Sequence, residues 1–324
     1  MEYSLLGPTG VKVSKICLGT ATFGVAPDAQ EAGRVVQAAI DAGINFFDTA
    51  NVYGATPTFD RPGALPATER EPAEQILGRA LAGRRDDVVI ATKSGERRFD
   101  PAAGLSRRYI VQQVEHSLRR LGTDYIDVYY AHFPDPNTPL EQTLAVYDDL
   151  VRQGKLRYVA LSNYPAWQVT QALWIADDRH LAAAPVCVQV KYNLIDRAAE
   201  HELAPACQQF GLSIVPFGPL HGGLLAGTHV EDREISGDQR FGGSGFTGTE
   251  LDIGRAVERL SQEWGLRPYQ VSLAWLLARP AVASVIVGAE TSEEVTANAT
   301  AADVTLDQAQ MDALTALSAD TAQA

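Results

Sequence analysis

Four polar side chains of this chain, Asp48, Tyr53, Lys93 and His132, are of the types that together can make a proton-transfer site. A tyrosine, with an ordinary pKa of about 10, is by itself a poor acid at neutral pH. A neighbouring ammonium stabilises the phenolate, and a carboxylate beyond the lysine keeps that lysine charged and oriented. Lys93 and Asp48 suit those parts around Tyr53. His132 suits a hydrogen-bond donor that orients a substrate oxygen without itself titrating. Taken singly, each residue has a plainer use: Asp48 as a cap on the turn at Thr49, Tyr53 as a packed aromatic, Lys93 as a solvated charge, His132 as a core histidine. They carry chemistry only if the fold brings all four together.

The runs that precede them are what could do so. Ile44-Asn45-Phe46-Phe47, Val88-Val89-Ile90-Ala91 and Ile126-Asp127-Val128-Tyr129-Tyr130-Ala131 read as buried strands. Asp48, Lys93 and His132 stand where these runs end, and Tyr53 follows Asp48 closely. In a parallel α/β protein the carboxyl ends of the strands share one face, so residues distant in sequence converge there.

The rest of the chain supports such a sheet. A hairpin from Tyr3 to Lys15, turning at Gly7-Pro8-Thr9-Gly10, precedes an alternation of strand-like and helix-like stretches. The predicted strands are Ile16 to Gly19, Asn45 to Asp48, Val88 to Thr92, Ile126 to Ala131, Tyr158 to Ser162, Cys187 to Val190, Ser213 to Pro216 and Ser284 to Val287. Helical periodicity fills Glu31 to Ala42, Ala73 to Ala82, Arg107 to Leu121, Leu140 to Gln153, Ala166 to Ile175, Glu200 to Phe210, Thr249 to Trp264, Thr291 to Thr300 and Leu306 to Leu317. Eight strands close a barrel. The expected fold class is therefore α/β, a (β/α)8 TIM barrel with an N-terminal β-hairpin and a C-terminal extra helix, in one domain over residues 1–324. The rival, an open doubly wound sheet, would carry a glycine-rich phosphate turn after its first strand, and no G-x-G-x-x-G follows Ile16 to Gly19. Two segments break the rhythm, residues 54–70 and 222–248, and both are expected on the face where barrel enzymes build their sites.

Composition narrows the partners. The chain has 324 residues, 46% of them hydrophobic, and a net charge of −13, which argues against nucleic acid and anionic membrane because both are polyanions. A small molecule is the expected partner. Three cysteines, Cys17, Cys187 and Cys207, sit among apolar residues without paired spacing, as buried thiols of a cytoplasmic protein would, and no metal site is implied. The first residues lack the pattern of a signal peptide, and no apolar run reaches membrane-spanning length.

These residues resemble the aldo-keto reductases, nicotinamide-dependent carbonyl reductases built on an eight-stranded barrel. The likeness lies in Asp41-Ala42-Gly43-Ile44-Asn45-Phe46-Phe47-Asp48-Thr49-Ala50-Asn51-Val52-Tyr53-Gly54, in Ala91-Thr92-Lys93 and in Asp124 to His132. It continues through Leu161-Ser162-Asn163-Tyr164, Val188 to Leu194 and Pro216-Phe217-Gly218-Pro219-Leu220. The resemblance implies Tyr53 as general acid in reduction and general base in oxidation, Asp48 and Lys93 as the residues that tune it, and His132 as the one that orients the carbonyl. It implies Ser162, Asn163 and Gln189 on the nicotinamide carboxamide and Phe217 stacked on the ring. Pro219, Leu220, Gly223 and Leu225 would line the cofactor, with Gly288, Glu290, Glu294 and Asn298 at its adenosine end. Without the resemblance, Ser162-Asn163 could simply cap the following helix. The implied substrate is a small aldehyde, ketone or sugar, or the corresponding alcohol. A second implication, from another class, is a redox-sensing, cofactor-binding subunit like the potassium-channel β subunits.

Between Gly288 and Asn298 there is no basic residue, whereas members that prefer NADPH usually place Lys or Arg there for the 2′-phosphate. Glu290 and Glu294 would repel that dianion, and a carboxylate can accept hydrogen bonds from a ribose hydroxyl instead. Of NAD(H) and NADP(H), NAD(H) is therefore slightly favoured. Two features weigh on the other side: the glutamates could serve only the helix dipole, and Arg233 or Arg240 of the long segment could supply the phosphate site.

Overall fold

Period-two alternation decides what faces the middle of this molecule. In the computed structural model, which describes residues 1–57, 64–98, 102–227 and 245–318, eight strands run parallel in the order β10-β3-β4-β5-β6-β7-β8-β9. They are β3 (Ile16–Gly19), β4 (Phe46–Asp48), β5 (Val89–Ser94), β6 (Ile126–Ala131), β7 (Leu156–Ser162), β8 (Pro185–Gln189), β9 (Ser213–Ile214) and β10 (Val285–Gly288). Ile214 bridges to Val282, and the Ile286 N–H donates to the Pro216 carbonyl at 2.9 Å, which closes the sheet into the expected (β/α)8 barrel.

One parity of each strand fills the barrel. Cys17, Phe46, Ala91, Val128, Tyr130, Ala160, Cys187, Val215 and Ile286 form an interior cluster. The other parity, including Leu18, Phe47, Ile90, Tyr129, Leu161, Val188 and Val287, packs outward under the helices in a second, larger cluster. Two residues beyond the interior set on their own strands come Asp48, Lys93, His132, Ser162, Gln189, Phe217 and Gly288. The pleat that buries the apolar residues thus aims these inward at the carboxyl-terminal mouth.

The opposite mouth is plugged by the hairpin β1 (Tyr3–Leu5) and β2 (Lys12–Ser14), whose neighbours Leu6 and Val13 join the interior cluster. Gly7 makes that seating possible: its φ is +54°, and a Cβ there would lie 2.1 Å from the Val186 carbonyl oxygen.

The helices are α1 (Ala29–Asp41), α2 (Ala73–Ala80), α3 (Arg107–Leu121), α4 (Leu140–Arg152), α5 (Ala166–Asp178), α6 (Leu203–Phe210), α7 (Gly248–Glu263), α8 (Pro268–Leu277), α9 (Ser292–Ala299) and the terminal α10 (Gln308–Ala316). Asp28 caps α1 by accepting from the Gln30 and Glu31 N–H groups, and Ser106 caps α3. The sequence reading did not set out α8. Val271, Leu273, Ala274, Trp275 and Leu276 are all buried, so α8 is apolar around its whole circumference and shows no helical stripe. Among the described residues no helix is long and apolar enough to cross a membrane.

Candidate active site

Asp48 closes β4, Lys93 sits near the end of β5, and His132 follows β6 with its N–H on the Ser94 carbonyl at 2.9 Å. Lys93 is fully buried and Asp48 is 3% exposed. The Lys93 ammonium pairs with Asp48 Oδ1 and donates to the Thr49 carbonyl at 2.8 Å. The other Asp48 oxygen accepts from Gln189 Nε2 at 2.8 Å, so the carboxylate is bonded on both sides.

Tyr53 comes to this pair from a turn. Its ring centroid lies 5.0 Å from Lys93 Nζ, and its ring meets His132 edge-on with centroids 6.0 Å apart. His132 in turn stacks on Phe133 at 5.2 Å. The Asn51 N–H on the Lys93 carbonyl (3.1 Å) and the Ala73 N–H on the Tyr53 carbonyl (3.0 Å) hold the turn. Gly54 is required behind the tyrosine: its φ is +85°, and a Cβ would come within 2.6 Å of the Glu71 carbonyl oxygen. The four residues singled out in the sequence therefore form one cluster.

Burial governs their charges. It disfavours the Lys93 ammonium, but Asp48 and Tyr53 outweigh it and hold the lysine above its ordinary pKa, so it stays charged. Burial pushes Asp48 up, against the pull of Lys93 and Gln189. It also pushes the Tyr53 phenol above its ordinary value, with Lys93 pulling the other way. The sequence argument had the ammonium lowering this pKa outright; the correction is that desolvation is the larger effect. Burial, then the Lys93 and Arg98 charges, drive His132 well below the usual imidazole range, so it is neutral at neutral pH. Its Nδ1 is buried without a hydrogen-bond partner among the described residues. An unpaired acceptor is better tolerated than an unpaired N–H, which puts the proton on Nε2 and makes that nitrogen a donor.

The expected cofactor residues follow round the rim from β7 to α9. Ser162 pairs with Gln189 across β7 and β8, and the Asn163 N–H donates to the Gln189 carbonyl at 3.0 Å. Asn163 has φ +61°, and its Nδ2 donates to Ser162 Oγ and to the His132 carbonyl, both at 3.0 Å. Neither residue caps α5, whose N-cap is Pro165, so that alternative use falls away. Phe217 is half-buried on the next strand end, its N–H on the Val190 carbonyl at 2.9 Å. Pro219, Leu220 and Gly223 follow in the tight loop, Gly223 with φ +101°. Leu225 is placed in the core: it is fully buried, and its carbonyl accepts from Ser272 Oγ at 2.9 Å.

At the far end Gly288 is exposed, Glu290 half-buried and Asn298 buried. Glu294 turns back to accept the Glu290 N–H at 2.8 Å while Thr291 accepts the Glu294 N–H, so Glu294 does serve the start of α9. Arg233 and Arg240 lie outside the described residues.

Sequence reasoning passed over several polar groups near the site. His221 is 5% exposed, with Nδ1 2.9 Å from Asp196 and Nε2 3.0 Å from Glu250, which ties the loop after Phe217 to the start of α7. Glu74 and Arg120 lie behind the Tyr53 turn. Glu74 had a signal in sequence, since helical spacing sets it on the same face of α2 as Leu77 and Leu81, where a carboxylate needs partners.

A family model described as the aldo/keto reductase family matches residues 15–319. The chain is 36% identical over 317 residues to the uncharacterized oxidoreductase YrpG of Bacillus subtilis (strain 168), covering 95% of this chain and 93% of that one. It is 35% identical over 320 residues to a probable voltage-gated potassium channel subunit beta of Oryza sativa subsp. japonica, with 94% and 92% coverage. To the L-glyceraldehyde 3-phosphate reductase of Escherichia coli O157:H7 it is 29% identical over 313 residues, with 92% and 86% coverage.

Proposed function

The chain belongs to the aldo/keto reductase family, and on that premise we propose that Tyr53 gives its proton to the oxygen of a small aldehyde, ketone or sugar carbonyl in nicotinamide-dependent reduction, and takes one from the alcohol in oxidation. The observation that carries this reading is the buried Asp48–Lys93 pair with Lys93 Nζ 5.0 Å from the Tyr53 ring centroid, and neutral His132 at the ring edge. Lys93 stabilises the phenolate that forms when the proton leaves, and Asp48 keeps Lys93 charged and in place. His132 Nε2–H donates to the carbonyl oxygen and fixes which face of the substrate is presented.

The residues present suit a nicotinamide nucleotide. Ser162, Asn163 and Gln189 put hydroxyl and amide groups on adjacent strand ends, where a carboxamide can exchange hydrogen bonds with them. Phe217 offers a half-buried ring beside them, and Gly288, Glu290 and Asn298 would hold the adenosine end. When bound, the nucleotide supplies or accepts the hydride. The absence of a basic residue from Gly288 to Asn298 supports use of NAD(H) at least as well as NADP(H).

A second reading, a cofactor-binding sensor subunit, draws on the 35% identity to the rice potassium-channel β subunit. Fluorescence titration with NADH and NADPH, followed by turnover of glyceraldehyde and 4-nitrobenzaldehyde, separates the two. Turnover lost in Tyr53→Phe supports the enzyme; tight nucleotide binding with negligible turnover supports the sensor.

A further inference from the structure

Behind the Tyr53 turn runs a chain of hydrogen-bonded polar side chains. Glu74, on α2, has a fully buried side chain, and its Oε1 accepts from Thr92 Oγ1 at 2.6 Å. Thr92 is the strand neighbour of Lys93, facing outward where Lys93 faces the barrel. Arg120 Nη1, on α3, donates to Glu74 Oε2 at 3.2 Å and to the Asn51 carbonyl at 3.0 Å. Asn51 is held again by α3, its Nδ2 donating to Gln113 Oε1 at 3.0 Å, and its N–H lies on the Lys93 carbonyl.

We propose that Glu74 and Arg120 are positioning residues for Tyr53: the Thr92–Glu74–Arg120–Asn51 chain fixes the tyrosine-bearing turn against the strand that carries Lys93. The inference rests on the reading of Tyr53 as the proton donor. A buried carboxylate cannot stand unpaired, so Glu74 holds the Arg120 guanidinium in one place, and the guanidinium holds Asn51, two residues before the tyrosine. The same residue is bound through its N–H to the β5 backbone at Lys93. Tyrosine and lysine are thus referenced to one another through side chains that never meet substrate. A displacement of about 1 Å at a reacting group can cost about a hundredfold in rate.

The test uses the full chain, with Arg120→Met and Arg120→Lys assayed on 4-nitrobenzaldehyde beside Tyr53→Phe. Methionine removes both bonds; lysine keeps a charge for Glu74, but its ammonium ends one bond short of the Nη1 position from which Arg120 bonds both Glu74 and the Asn51 carbonyl. In both variants kcat should fall about 10- to 100-fold, with the aldehyde KM and the nucleotide affinity within about twofold of wild type and a larger solvent isotope effect on kcat. If Arg120→Met does not fold, Arg120→Lys carries the same reading. Wild-type kcat in a folded variant overturns the proposal, as does a loss of kcat matched by an equal loss of nucleotide affinity, which would mean general loosening. Wild-type turnover in Tyr53→Phe overturns both this inference and the function it rests on. An inactive Tyr53→Phe beside a fully active Arg120→Met overturns the inference alone.

Discussion

Gln189 donates its Nε2–H to Asp48 Oδ2 across the mouth of the barrel at 2.8 Å, so the end of β8 is bonded to the end of β4. The residue expected to face the nicotinamide is therefore also a partner of the carboxylate that holds Lys93. Gln189→Leu should raise the Asp48 pKa further, since this bond is one of the influences that lowers it. The lost partner should cost about 1–3 kcal/mol of stability. Nucleotide affinity and kcat should decline together, and titration beside steady-state kinetics checks it; a fall in affinity with kcat intact would separate the two roles.

Removing Lys93 should act differently from removing the pair. Lys93→Met leaves Asp48 without its counter-ion in a dry site and should cost about 3–5 kcal/mol, together with nearly all turnover. Lys93→Met with Asp48→Leu should regain much of that stability and none of the activity. Chemical denaturation of both variants checks this, and equal stabilities would count against a strongly coupled pair.

The acid–base role of Tyr53 has a sign in pH. Because burial holds the phenol above its ordinary pKa, the protonated form persists through neutral pH. Reduction should be insensitive to pH from about 6 to about 9, and alcohol oxidation should quicken as pH rises. Tyr53→Phe should lower kcat by about 10²- to 10⁴-fold with folding unchanged. A reduction rate already falling near neutrality would contradict the burial argument.

His132 predicts a stability effect. Its folded pKa lies well below the usual 6.5, so the unfolded chain takes up the proton first as pH falls. The contribution is complete above about pH 6.5 and is lost as pH drops toward the folded pKa. Between pH about 7 and about 5, the Tm of the wild type should fall more than that of His132→Gln. Parallel melting curves for the two proteins would remove His132 as the cause.

Cofactor choice can be tested at one position. Glu294 is spent on the Glu290 N–H, so Glu290→Arg changes the charge at the adenosine end without disturbing that cap. The ratio of kcat/KM for NADPH over NADH should rise by about tenfold or more, the worth of one favourable ion pair of about 1.4 kcal/mol. An unchanged ratio would leave no electrostatic case for NAD(H).

Much of this site was legible in the chain because its residues follow strands whose apolar runs are unmistakable. Asp48, Lys93 and His132 continue the inward parity of Phe46, Ala91, and Val128 and Tyr130, and a pleat cannot turn one set inward without the other. The barrel itself followed from eight such runs separated by helical periodicity. The helix α8 was less legible because burial on every side erases the stripe that periodicity needs.

What local pattern determined, then, is which side chains point into the barrel mouth and in what order they ring it. Tertiary structure alone decided how they are joined: Gln189 to Asp48 across the barrel, His221 between Asp196 and Glu250, and Arg120 to Glu74 and Asn51. It also decided the balance of charge, for burial outweighs Lys93 at Tyr53. The reason is physical. Side-chain direction follows from nearest-neighbour geometry along a strand, whereas hydrogen bonds between distant residues and the loss of solvent around them exist only once the barrel has closed.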